Sequence, residues 1–109
     1  MKRGEIWTAS GGTDHAGKPR PWLIVQSDLF PVEASVILCG FTTVVDDSEI
    51  LRPLIEPDQG NGLRAPSRVM IDKVSAVART KLRDRIGALS DEHMSRVERA
   101  LALILGFAD

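Results

Sequence analysis

A chain of 109 residues with a net charge of −1 and a single cysteine is one domain by size, residues 1–109, able to hide roughly 60–65% of its unfolded surface in a single modest core. Its apolar stretches are far too short to span a bilayer, and no signal-like apolar region follows residues 1–5, so a cytoplasmic protein without membrane association is expected. Cys39, alone in the chain, excludes an internal disulfide framework and reads as a small buried hydrophobe in a reducing compartment.

In chain order, residues 5–9 alternate like a half-buried strand, and residues 10–17 form a loop by composition. Residues 21–27 read as a second strand, entered through Gly17-Lys18-Pro19-Arg20-Pro21. A connector around residues 28–31 leads to the β-branched stretch 34–41, a buried strand ending at Thr42-Thr43. After the acidic turn Asp46-Asp47-Ser48, residues 50–56 read as a fourth strand interrupted by Pro53, and Gly60-Asn61-Gly62 forces a turn. Residues 67–72 alternate again, which sets Asp72 on the face of Met70 and opposite Val69 and Ile71. Residues 74–79 and 84–89 give further short strands. Many brief strands joined by Gly and Pro turns point to a small barrel.

The period then changes. Ser90 is placed to cap a helix with Asp91 and Glu92 in its first turn, and Met94, Val97, Leu101 and Ile104 fall on one face. Ala100, Leu103 and Leu105 widen the apolar side, which serves either core packing alone or a second copy as well. Gly106 is placed to end the helix.

The charges are unevenly spread. Residues 28–58 hold seven acids against Arg52 alone, whereas residues 59–85 hold seven bases against Asp72 and Asp84. Either both are solvated faces, or the second folds beside Lys18 and Arg20 as a basic groove for nucleic acid. Arg20 stands between two prolines, and a residue before proline is pushed to extended backbone, so its guanidinium starts from a stiff base suited to phosphate. The alternative is a solvated arginine at a strand start. His15 and His93 are distant from each other in sequence and the carboxylates are not clustered, so no metal site or cofactor is expected.

Five stretches, in this order and spacing, resemble the MazF/PemK toxins of bacterial toxin–antitoxin systems. They are Lys2-Arg3-Gly4-Glu5-Ile6-Trp7, Gly17-Lys18-Pro19-Arg20-Pro21 with Leu23-Ile24-Val25-Gln26-Ser27-Asp28, the strand ending in Thr42-Thr43, Pro66-Ser67-Arg68-Val69-Met70-Ile71-Asp72, and Ile86-Gly87-Ala88-Leu89-Ser90-Asp91-Glu92. The resemblance implies a β-rich (α+β) fold, a small SH3-like β-barrel with a C-terminal helix, and a homodimer. It also implies metal-independent cleavage of single-stranded RNA, mRNA included, that leaves a 2′,3′-cyclic phosphate and a 5′-hydroxyl and arrests growth. Its expected partner is a MazE-like antitoxin whose flexible acidic segment occupies the RNA groove.

By the same resemblance Arg20 matches the catalytic arginine and Thr42 the catalytic threonine, while Asp72 matches a carboxylate used as base or orienting group, or else pairs with Arg20. Met70 stands where some members carry a second arginine, so an Arg/Asp acid–base pair does not carry over. Lys18, Thr43, Arg64, Arg68, Lys73 and Arg79 are candidates for holding RNA. His15 serves either contact and proton transfer or no function in its loop. Trp7 and Trp22 either stack bases or fill the core. Two other readings stay open: a gyrase-poisoning toxin of the same barrel, which the absence of a Trp in the terminal Leu105-Gly106-Phe107-Ala108-Asp109 weakens, and a non-catalytic binding paralogue.

Overall fold

The computed structural model describes residues 1–10, 19–44 and 49–108. Among these lie seven strands, β1 (Glu5–Ala9), β2 (Arg20–Ile24), β3 (Ser35–Thr42), β4 (Leu54–Ile55), β5 (Ser67–Val69), β6 (Ser75–Ala78) and β7 (Leu82–Ala88), followed by the helix α1 (Asp91–Ile104). The strands pair antiparallel in the order β4-β5-β3-β2-β1-β7, with β6 also on β3. The sheet curls into a half-barrel with one C-terminal helix, the β-rich architecture expected from the strand pattern.

β3 organises the sheet because its apolar run suits a strand covered on both faces. One edge pairs with β2, and the other is shared by β6 over Ser35–Leu38 and by β5 at Phe41 and Thr42. Strand alternation separates two cores. Ile6, Leu23, Cys39 and Val69 pack with Met94, Val97 and Ala100 of α1 on one face. Ala9, Ile24, Val36, Leu38 and Leu82 pack together on the other, with Trp7 and Trp22 partly buried against them. Burial, with the Asp72 charge in second place, pushes the Cys39 thiol up to about 12, so it stays protonated and inert.

α1 is capped as its sequence demands. The Ser90 Oγ accepts the His93 N–H at 3.2 Å, and Asp91 and Glu92 face the positive end of the dipole. Gly106, with φ of 82°, takes the left-handed position that stops the helix. The buried stripe is Met94, Val97 and Ala100; Leu101 is partly buried and Ile104 is 42% exposed, so the helix leaves the core a turn before the expected stripe ends.

Boundaries shift where tertiary hydrogen bonds override alternation. Two successive N–H groups, of Val25 and Gln26, share the Ile37 carbonyl, and this bulge-like irregularity ends β2 at Ile24 rather than at residue 27. Pro53 has no N–H to give and instead accepts the Val69 N–H at 3.1 Å, leaving only Leu54–Ile55 as β4. The Ile71 N–H turns to the Leu51 carbonyl and Ile71–Lys73 winds into a 3-10 turn, so the alternation expected through residue 72 stops at Val69 and does not set the direction of Asp72. A second 3-10 turn, Arg79–Lys81, ends the strand expected over residues 74–79 at Ala78, and β7 starts at Leu82.

Candidate functional site

Arg20 opens β2 and Thr42 closes β3, which runs beside it in the opposite sense. The ladder between them reads Ile24↔Leu38, Leu23↔Cys39, Trp22↔Gly40. It stops at Pro21, which lacks the N–H to extend it. Two residues beyond the last pair stand Arg20 on one strand and Thr42 on the other. A two-residue step preserves the face, so both stand on the same side of the sheet at the same end of the two strands. Arg20 is exposed and Thr42 half-buried. The Thr42 Oγ1 accepts the Val44 N–H at 3.1 Å, which fixes the oxygen and leaves the hydroxyl proton to be donated outward.

The row continues across the sheet, because Thr42 pairs directly with Arg68 of β5. Directly opposite residues share a face, so Arg68 flanks Thr42 on the side away from Arg20. The Arg68 guanidinium is tethered twice, to the Arg52 carbonyl at 2.9 Å and to the Glu49 carboxylate at 2.6 Å. Arg52 is itself gripped by Asp72 through two parallel bonds of 3.1 and 3.2 Å. That fork, the largest influence, holds the Asp72 carboxyl below the usual range, as the Arg68 bond does for Glu49. Asp72 thus reaches the row through Arg52 and Arg68, and its charge acts on Cys39, whose side chain lies on the face opposite Thr42.

Around the end of β2 a pocket of about 450 Å³ is lined by Pro19, Pro21, Thr43, Arg64, Ser67 and Ile86. Its floor is a loop held by Asn61, which is fully buried. The Asn61 Oδ1 accepts the N–H groups of Asp58 and Leu63 at 3.2 and 3.0 Å, and its Nδ2 donates to the Glu56 carbonyl at 2.9 Å. This knot presses on β7 so closely that a Cβ on Gly87 would stand 2.4 Å from the Asn61 carbonyl carbon, and one on Gly62, at φ of 71°, 2.2 Å from the Ile86 oxygen. Thr43 and Arg64, far apart in sequence, meet in this stiff frame.

The remaining candidates fall elsewhere. Arg79 follows Ala78, which pairs with Ser35 at the opposite end of β3 from Thr42. The eight residues of β3 put seven steps between its two ends, a span of about 23 Å. Lys73 lies exposed in the 3-10 turn beyond Met70. Lys18 and His15 lie outside the described residues, as does the acidic turn at residues 46–48. Trp22 and Met70 close over Gly40 from either side, where a Cβ would meet their side chains at 3.4 and 3.0 Å. Glu49, Arg52 and Arg96 escape sequence reasoning because their partners lie 19, 20 and 47 residues away. Among the described residues no three His, Cys, Asp or Glu side chains cluster as metal ligands, and no helix is long and apolar enough to cross a membrane.

Residues 2–105 match the family model of the PemK-like, MazF-like toxins of type II toxin–antitoxin systems. The chain belongs to this family. It is 46% identical over 108 residues to a probable endoribonuclease MazF of Mycolicibacterium smegmatis, covering 99% of both chains. It is 24% identical over 114 residues to the endoribonuclease EndoA of Bacillus subtilis, covering 100% of this chain and 97% of that one. The fold matches a mycobacterial endoribonuclease solved in complex with its cognate antitoxin, with a TM-score of 0.80 at 22% identity over 100% of this chain and 98% of the other. It also matches a MazE–MazF structure from Deinococcus radiodurans, with a TM-score of 0.78 at 16% identity, covering 97% and 96% of the two chains. The MazF-like half-barrel therefore carries the Arg20, Thr42 and Arg68 row at the end of its central strands.

Proposed function

We propose that this MazF-family toxin is a sequence-selective endoribonuclease that cuts single-stranded RNA, mRNA in the cell, and so halts translation and growth. The observation that carries the reading is the juxtaposition of Arg20 and Thr42 at one end and on one face of β2 and β3. The names of the two endoribonuclease relatives support it.

The ribose 2′-oxygen attacks the adjacent phosphorus, forming the 2′-O–P bond, and the P–O5′ bond breaks. The 2′-hydroxyl loses a proton and the departing 5′-oxygen gains one, leaving a 2′,3′-cyclic phosphate and a 5′-hydroxyl without a metal. Negative charge builds on the phosphoryl oxygens. The planar Arg20 guanidinium is suited to hold that charge, and the Thr42 hydroxyl, oriented through Val44, donates a hydrogen bond to it. Asp72 acts as an orienting carboxylate by fixing Arg52, whose carbonyl steadies Arg68. Thr43 and Arg64 line a pocket of a size to take a neighbouring nucleotide.

A cognate antitoxin with a flexible acidic segment neutralises the toxin by competing for the same cations and hydroxyls. The active form is a homodimer, supported by the exposed apolar side chains Phe30, Ile37 and Leu105 around a groove beside the end of α1. The test is a defined transcript incubated in chelator. Fragments should carry 5′-hydroxyl ends, and a 2′-deoxy substitution at the cut site should block cutting; 5′-phosphate ends, or cutting of the deoxy substrate, would overturn the mechanism.

A further inference from the structure

Glu49 makes a contact that the cleavage scheme leaves unused. Its carboxylate bridges two arginines from different elements, with Oε2 2.6 Å from Arg68 Nη1 and Oε1 2.6 Å from Arg96 Nη2. The Glu49 side chain is 57% exposed, while that of Arg68 beneath it is 16% exposed. Each arginine also has a second, neutral anchor: Arg68 donates to the Arg52 carbonyl at 2.9 Å and Arg96 to the Leu54 carbonyl at 3.0 Å. If the carboxylate left, both guanidiniums would stay in place and point at one vacated anion position. Arg68 pairs with Thr42 across the sheet, so one of the two arginines at that position belongs to the row proposed to hold the scissile group.

We propose that Glu49 is an internal phosphate mimic, covering a subsite formed by Arg68 and Arg96 that takes a non-scissile phosphate of the RNA once the carboxylate is displaced. The inference rests on the RNA-cleavage reading above. A phosphate oxygen pair can replace a carboxylate on the same guanidinium donors with bonds of the same kind. The carboxylate is the more exposed end of both pairs, so on opening it returns to water and gives up these two bonds and the Leu54 N–H at 3.5 Å. Glu49 therefore lowers affinity for RNA uniformly across sequences and leaves the choice of cut site to the pocket at Thr43 and Arg64.

The experiment measures binding of a fully 2′-O-methylated single-stranded oligoribonucleotide, which cannot be cut, by fluorescence anisotropy over a salt series. Glu49→Gln should bind about three- to tenfold more tightly at low salt, because the same phosphate is then held without first displacing a carboxylate. Adding Arg68→Gln to Glu49→Gln should remove the gain. If the wild-type chain binds the oligonucleotide and Glu49→Gln binds it equally or less well, Glu49 is only a strut between the sheet and α1, and the proposal is overturned while the nuclease reading stands. A gain for a short poly-glutamate peptide without one for RNA overturns it in favour of a protein ligand. No binding by either chain overturns the RNA reading and the proposal with it.

Discussion

Asn61→Ala removes the side chain that ties the loop beneath the Thr43–Arg64 pocket. Three hydrogen bonds vanish, from the N–H groups of Asp58 and Leu63 and to the carbonyl of Glu56. The Leu63 N–H is buried, and stranding it costs about 1–3 kcal/mol. The other two groups are part-buried and regain water, so each loses about 0.5–1.5 kcal/mol. Together these give a loss of about 2–6 kcal/mol, a large share of the stability of a domain this size. At about 4–8 °C per kcal/mol the melting temperature falls by at least about 8 °C. Urea unfolding followed by tryptophan fluorescence measures the loss directly. Asn61→Asp, which keeps the acceptor and loses the Nδ2 donor, should also destabilise. A loss under about 1 kcal/mol for Asn61→Ala would refute the reasoning, since it would mean that water or a shifted loop satisfies all three groups.

Thr42→Val keeps the shape and deletes the hydroxyl, so RNA cleavage under single turnover should slow by about 10²–10³-fold, the usual cost of one transition-state donor, while Thr42→Ser should retain most of the rate. Asp72 has its pKa depressed by Arg52 below the ordinary 3.8, so its pairing stabilises the fold above that value and the contribution is lost as pH falls through the lower folded value. Urea midpoints between pH 5 and pH 2 should therefore fall more steeply for the wild type than for Asp72→Asn, by at most about 1 kcal/mol because the pair is partly exposed. Equal slopes would show that Arg52 gives Asp72 no net stabilisation.

What the sequence disclosed was local. The alternation of β1, the apolar run of β3 and the Ser90 cap act through neighbours a few residues apart, and all three are present in the fold. The prolines around Arg20 mark a strand start for the same reason. The Ser67–Val69 strand was legible but its end was not, because the Leu51 and Pro53 carbonyls, distant in sequence, take the N–H groups that set it. Gly60-Asn61-Gly62 announces a turn by composition, yet its tightness against Gly87 depends on a contact 26 residues away. The ion pairs of Glu49, Arg52 and Arg96 were likewise invisible, since charge counting along the chain cannot say which acid meets which base.

The central claim is that the guanidinium of Arg20 meets the reacting phosphate beside Thr42. Single-turnover cleavage of a defined single-stranded RNA in chelator, with Arg20→Gln compared with the wild type at saturating protein, tests it most directly. The account predicts a loss of at least about 10²-fold in rate with the fold intact by circular dichroism. A folded Arg20→Gln protein that cuts at the wild-type rate would contradict it.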